Sequence, residues 1–425
     1  MRVVIIGLGG VSRTFYNWPE RTLGRALVRR GHAVAAYGYL TDAPDMSRDE
    51  VIDGISVVRV PARIWGNRRF EAALAREARP DIVHIMHPRN PLAFTAARHY
   101  RRLGVPVVYT WLGPFHDEYL VDDRDAPYDA PPHFDRLIFN PATALRRALT
   151  NRRVKYTLRN FALHWPLKQA SWWLPCSRHE AGVLEQMGIP PARTSVVPLW
   201  IDPAPYQQPP VPVPGVEGAT RPWLLYIGQL TRRKCYDLVV EAMPRIVAAC
   251  PTASFLFVTH NPAQREQLLQ MAAQRGVSEH LRFLGRLSDE EKSTLMKQSD
   301  VYLYPSRYEG FGLPLLESMA AGVPLISSDI PVVNEIVQHE YNGLLTPYND
   351  APAIAAAALR LLHDDALRQQ LIVGGHATLR ERYAEDKLIT KVESYYQRAI
   401  EFAHRQGGKL CASSSSAQPA CWAAL

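Results

Sequence analysis

Two α/β domains in series, each a doubly wound parallel sheet, are the fold class this sequence predicts. Three observations carry it. Short apolar runs alternate with helical patterns in both halves of the chain, which is how parallel strands and their crossover helices read. The alternation breaks once, at the proline-rich stretch Gln-Gln-Pro-Pro-Val-Pro-Val-Pro-Gly215, too stiff and too poor in N–H donors for a core element. Finally, 425 residues at 47% hydrophobic are too many for one ordinary core and apolar enough for two.

Taken in order, residues 3–6 form a short apolar run ending in Gly7-Leu-Gly-Gly10, read as a buried strand. The helical pattern after it stops at Arg29-Arg30-Gly31-His32, where last-turn cations and a following glycine mark a helix end. Further strands are predicted over 32–39, 56–60, 81–86 and 105–110. This first domain spans 1–203, and the linker 204–221. A second alternation starts at Trp223-Leu-Leu-Tyr-Ile-Gly228 and continues through strands over 254–259, 281–284, 301–304 and 324–328, so the second domain, 222–385, repeats the architecture of the first. A long helix over 386–405 is expected to pack back on the first domain. Gly407-Gly408 and the serine run 413–416 predict a disordered tail over 406–425.

Bulk features narrow the function classes. No window reaches the ~18 uninterrupted apolar residues of a spanning helix, and the opening run meets glycine too early for a secretory signal. The five cysteines, Cys176, Cys235, Cys250, Cys411 and Cys421, include no Cys-x-x-Cys pair, so a reducing cytoplasm is the expected compartment. The net charge of +8 is uneven: residues 136–168 carry Arg146, Arg147, Arg152, Arg153, Lys155 and Arg159 without one acidic residue. No nucleic-acid-binding pattern accompanies them. The expectation is an anionic membrane face docked through 136–173, with Trp165, Trp172 and Trp173 at headgroup level, against the alternative of a solvated helix face.

The passage Pro305-Ser-Arg-Tyr-Glu309-Gly-Phe-Gly-Leu-Pro-Leu-Leu-Glu317-Ser-Met-Ala-Ala-Gly-Val-Pro324 follows a strand and opens a helix. Gly310 and Gly312 admit close backbone approach, Pro314 suits a first helical turn, and the helix start offers N–H groups and a positive dipole end to an anion. Glu309 before the glycines and Glu317, placed in the first turn, supply acceptors for the hydroxyls of a sugar. Taken alone, Glu317 reads rather as a helix-dipole contact and Gly310 and Gly312 as turn formers; it is their ordered combination that points to a ligand.

The ordered string resembles glycosyltransferase family 4, whose paired glutamates stand eight positions apart in the same E-G-F-G-x-P-x-x-E-x-M-A-x-G-x-P pattern, and Asn334-Glu-Ile-Val and Tyr-Asn-Gly343-Leu-Leu continue it. The resemblance covers most of residues 1–400. It implies the GT-B fold, two Rossmann-like domains facing across a cleft, and a retaining transfer from a nucleotide-diphosphate sugar to a glycan, lipid-linked or small-molecule acceptor. It implies Glu309 against the donor sugar, Glu317 on the ribose hydroxyls, and N–H groups around Phe311, Gly312 and Leu313 on sugar or phosphate.

Ile227-Gly-Gln-Leu-Thr-Arg-Arg-Lys-Cys-Tyr-Asp-Leu238 places three cations at a strand-to-helix turn. In family 4 an arginine and a lysine of this loop neutralise the diphosphate. Lys234 is in place, while Gln229 replaces the arginine and Cys235 the usual glycine, so Arg232 or, preferably, Arg233 must supply the second charge. No Asp-x-Asp motif suits a metal-held donor; helix termini and Lys234 are expected to take a divalent ion's role, and no cofactor is expected. Arg286 joins the substrate-binding candidates.

In the first half, Gly7-Leu-Gly-Gly10 lacks the full dinucleotide fingerprint, which argues against a dehydrogenase. The resemblance puts Gly9 and Gly10 at the cleft. The family's histidine falls where this chain has Leu112, so His116, with Asp117 beside it, is the acceptor-side candidate after a predicted strand. His84 and His87 read equally as lining groups or core. Rivals on the same architecture are a sugar-nucleotide epimerase, a phosphorylase, and a nucleotide-sugar-binding scaffold that has lost catalysis; Gln229, Cys235 and the displaced histidine motivate the last.

Overall fold

The computed structural model describes residues 1–14, 16–40, 46–87, 90–112, 162–259 and 264–413, the side chains of Arg232 and of 406–413 excepted. The first domain runs β1 (Arg2–Ile6), α1 (Pro19–Arg29), β2 (Ala33–Tyr39), β3 (Asp49–Ile52), β4 (Ile55–Val60), α2 (Arg68–Arg76), β5 (Ile82–Met86), α3 (Ala93–Arg102), β6 (Val107–Trp111) and β7 (Trp172–Pro175). Its sheet has the order β3-β4-β2-β1-β5-β6-β7. The central strands are apolar throughout because helices cover both faces; Val3, Val4, Ile5 and Ile6 are all fully buried. α1 begins with Pro19 in its first turn and ends at Arg29, with Arg30 as its C-cap, followed by Gly31 at φ 82°.

α4 (Arg178–Gln186) and the one-turn α5 (Ala204–Gln207) lead to the second domain. That domain runs β8 (Trp223–Ile227), α6 (Tyr236–Ala249), β9 (Ser254–Val258), α7 (Arg265–Gln274), β10 (Leu281–Gly285), α8 (Asp289–Gln298), β11 (Val301–Tyr304), α9 (Leu313–Ala321), β12 (Leu325–Ser328), α10 (Pro331–Asn334), β13 (Leu344–Thr346), α11 (Ala351–His363) and α12 (Asp365–Arg382). Its strands are all parallel, in the order β10-β9-β8-β11-β12-β13. The chain then returns as α13 (Glu385–Ser413), which lies on the first domain. Glu393 pairs with Arg30 and His32, each at 2.8 Å, and Tyr396 lies 2.6 Å from His84 Nδ1.

Three elements differ from the sequence reading. β3 is an antiparallel edge strand, joined to β4 through Asp53 and Gly54, both at positive φ (52° and 79°), the backbone of a type I′ hairpin turn. β7 takes up Trp172 and Trp173, 9% and 1% exposed. They are core residues and not headgroup anchors, because the strand pairs beside β6 with its faces covered. Of the expected docking surface, residues 136–161 lie outside the described residues. α13 continues to Ser413, past Gly407-Gly408, where the composition places the helix end; two glycines cost only about 2 kcal/mol in a helix already nucleated. Among the described residues no helix is long and apolar enough to cross a membrane.

Candidate active site

In the second sheet the chain winds outward from β8 to β9 and β10, then returns to the other side of β8 with β11. That reversal opens a crevice at the carboxyl ends of β8 and β11, the place where open α/β sheets bind ligands. The two motif loops emerge there. The first closes in a one-turn 3-10 helix, Arg232–Lys234, and reaches α6 through Cys235 at φ 48°. The second ends in Gly312 at φ 108°, which caps α9, with Pro314 in the first turn. A hydrogen bond from Arg307 N–H to the Arg233 carbonyl, 2.8 Å, ties the loops together.

Glu309 stands between them. Only 6% of it is exposed, and its carboxylate receives Lys234 Nζ at 2.5 Å and Arg233 Nη1 at 3.2 Å. Lys234 also donates to the Tyr304 hydroxyl at 3.1 Å, and Arg233 to the Tyr308 carbonyl at 3.1 Å. Burial alone raises the Glu309 pKa; the charges of Lys234 and Arg233 outweigh it and hold the group at about 2, from 4.5. Glu309 is therefore ionised throughout the neutral range. Of the two arginines expected to supply the second charge, Arg233 is the one seen paired with Glu309. Arg232 shares the same turn, and Arg286 sits exposed just past β10.

Glu317 is the fifth residue of α9, one turn further in than the spacing suggests, because the helix starts only at Leu313. Its Oε1 accepts from Lys292 Nζ of α8 at 2.8 Å. The buried Tyr302 feels both carboxylates: burial first, then Glu317 and Glu309, push its hydroxyl pKa far up. Gly310 and Phe311 are buried at the loop's base, Phe311 edge-on to Tyr383 at 6.0 Å. Among the described residues no side chain caps the start of α9, where a helix leaves N–H groups without an intrahelical partner.

The first sheet has an equivalent reversal, between β1 and β5. Gly9, at φ 117°, lies under Gly38, where an added Cβ would meet Gly9 Cα at 2.6 Å, and a Cβ on Gly10 would collide with Trp18. Beneath this loop lies Glu20, 1% exposed. Its Oε1 accepts the Leu8 N–H at 2.9 Å and His87 Nε2 at 3.0 Å; Oε2 has no hydrogen-bond partner among the described residues. Burial acts to raise its pKa, but the contact with His87 and the Leu8 N–H prevail and lower it. Sequence reasoning missed Glu20, whose signal was its place in the first turn of the helix after the glycine loop. His84, by contrast, is core, clasped by Tyr396 and Thr110 at 2.6 Å each, and burial depresses its imidazole to about 3. His116 and Asp117 lie outside the described residues. A cavity of about 1140 Å³ runs between the domains, lined by Ser177 and Arg178 on one side and Phe311 and Glu335 on the other.

Two family models match the chain between them over most of its length: a glycosyl transferase 4-like domain at residues 20–200 and glycosyl transferases group 1 at 214–377. The chain belongs to the group 1 glycosyltransferases. Among curated proteins this glycosyltransferase resembles the phosphatidyl-myo-inositol mannosyltransferase of Mycobacterium tuberculosis H37Rv, 32% identical over 182 residues, 41% of this chain and 46% of that protein. It also resembles O-antigen chain mannosyltransferase B of Escherichia coli, 30% identical over 174 residues, 41% and 45% respectively. The chain thus spans less than half the length of the curated relatives it matches. Among solved structures, sucrose-phosphate synthase from Thermosynechococcus elongatus superposes with a TM-score of 0.69 at 20% identity, covering 94% of this chain and 99% of that one. Anabaena HepE in complex with UDP gives 0.67 at 15%, covering 94% and 100%. The fold is GT-B.

Proposed function

We propose that this group 1 glycosyltransferase is a retaining, metal-independent hexosyltransferase. It moves a sugar from a nucleoside-diphosphate donor, held in the second domain, to a glycan, lipid-linked or small-molecule acceptor in the first. The carrying observation is the buried carboxylate of Glu309 gripped by Lys234 and Arg233 at the strand ends of the β8–β11 reversal. Two fixed cations beside an α-helix start suit a diphosphate that gains charge as its bond to the sugar breaks. In this reading Glu309 meets the donor sugar, Glu317 the ribose, and Lys234 and the N–H groups of Gly312 and Leu313 the phosphates. A phosphate oxygen of the leaving group accepts the proton of the acceptor hydroxyl attacking on the same face, so no enzymic nucleophile is needed. Closure of the cleft keeps water from the donor.

The phosphatidyl-myo-inositol mannosyltransferases among the relatives favour a lipid acceptor, used at an anionic membrane face from the cytoplasmic side. The test is a thermal-shift panel of UDP-, GDP- and ADP-sugars without divalent ions: a ligand at a hundred times its dissociation constant stabilises by about 2.7 kcal/mol. One donor class should raise the unfolding midpoint and then yield slow hydrolysis or transfer with the anomeric configuration kept. A panel without any shift, or an inverted product, overturns the reading.

A further inference from the structure

Glu317 is connected to the other domain. Lys292, whose Nζ lies 2.8 Å from Glu317 Oε1, is also 3.8 Å from Asp289 on the preceding turn of α8. Asp289 Oδ2 in turn accepts the backbone N–H of Tyr16 at 2.7 Å, from the segment between β1 and α1. Tyr16 is itself anchored in the first domain. Its hydroxyl donates to Asp202 Oδ2 at 3.1 Å, and its ring lies under the Arg25 guanidinium at 4.2 Å. Asp202 also pairs with Arg25 at 3.2 Å and exchanges hydrogen bonds with Asn17. On the linker side the buried Tyr206 of α5 lies against the Glu317 carboxylate.

The Glu317 carboxylate is held by the Lys292 ammonium and the Tyr206 hydroxyl, and the ammonium fixes it only while it is itself held. Lys292 is held by Asp289, and Asp289 by a peptide of the opposite domain. We propose that Lys292 is a positioning residue: it fixes Glu317 against the ribose of the donor nucleotide and, through Asp289 and the Tyr16 peptide, makes that grip depend on the first domain being seated. The inference rests on the nucleotide-sugar reading above. It gives α8 a task beyond packing, which is to report domain seating to the donor pocket.

The experiment is calorimetric titration of the full chain with UDP, GDP and ADP and with the corresponding 2′-deoxynucleotides. Wild type should bind one ribonucleotide at least about tenfold more tightly than its 2′-deoxy form, since a hydrogen bond to a charged group is lost. Lys292→Met should bring that ratio to within about twofold, Lys292→Arg should restore most of it, and Asp289→Asn should lower it about threefold although Asp289 is one contact removed. A purely structural role would weaken both nucleotides alike and leave the ratio intact. An unchanged ratio in Lys292→Met, or in Asp289→Asn should the methionine variant not fold, overturns the inference alone. Failure of wild type to bind any of the three diphosphates overturns the nucleotide-sugar reading and the inference with it.

Discussion

The two crevices of this molecule occupy the same topological position, the strand ends on either side of an order reversal, but they are held together differently. In the second domain a buried glutamate is clamped by two cations drawn from a neighbouring loop, with Glu309 facing Lys234 and Arg233. In the first a buried glutamate, Glu20, supports a glycine loop through one N–H and one imidazole, and one of its oxygens has no hydrogen-bond partner among the described residues. Topology sets where a crevice opens; the charges placed at its mouth set what it can hold. On the proposed reading the clamped crevice takes the donor phosphates and the other the acceptor hydroxyl.

The largest expected effect tests the clamp. Lys234→Ala should lower turnover with the donor about a hundredfold, on the order of 3 kcal/mol of transition-state stabilisation. Initial rates at saturating donor check it. An equal loss from Glu20→Gln, with Lys234→Ala near wild type, would reverse the assignment of the two crevices.

A second effect of similar size is read in stability. The pKa of Glu309 is about 2 folded against 4.5 in the reference state, so its contribution is present above pH 4.5 and is lost as the pH falls from there toward 2. The shift corresponds to on the order of 3 kcal/mol. Urea unfolding of wild type and Glu309→Gln at several pH values checks it: wild type should lose its advantage across that acid window. Parallel curves for the two proteins would mean that Glu309 is not clamped in solution.

That contrast also explains what could be read from the sequence. The second crevice was legible because its chemistry lies in two contiguous strings, 227–238 and 305–324, whose loops topology then brings together. The first was not. Glu20 lies ten residues beyond the glycines, and its partner His87 sits at the end of a strand 67 residues away in sequence, so only the sheet order joins them. β3 was missed because Asp-Glu-Val-Ile has no apolar face to bury, although Asp53-Gly54 carried the hairpin signal. The basic stretch before Trp172 and Trp173 masks a strand whose pairing puts both in the core. Spacing alone puts Glu317 in the first turn, because the capping residue, Gly312, is not set by spacing.

For the first crevice the expected cost is smaller. Glu20→Ala removes the acceptor of a buried N–H and the partner of His87, which should cost about 1–3 kcal/mol. Gly10→Ala, which drives a methyl into Trp18, should cost about as much by overpacking. Denaturant midpoints for both variants check this. Near-wild-type midpoints would show that the loop is looser than its contacts imply.

The smallest effect concerns the residue where the clamp departs from its family. Cys235 is fully buried and sits at φ 48° between Lys234 and α6, a conformation that costs a side-chain-bearing residue roughly 1–2 kcal/mol and glycine almost nothing. Cys235→Gly relieves that strain, but it gives up a buried thiol and loosens the unfolded chain, terms of about 1 kcal/mol in the opposite direction. The two nearly cancel, so stability should change by less than about 1 kcal/mol and donor turnover should stay within about twofold. Cys235→Val keeps the apolar bulk and adds β-branching at positive φ, so it should cost roughly 2 kcal/mol. The order of the three proteins in urea separates two accounts of this position. If valine is tolerated and glycine is not, the site values volume; if glycine is tolerated and valine is not, it requires only the backbone turn that carries Lys234 to Glu309.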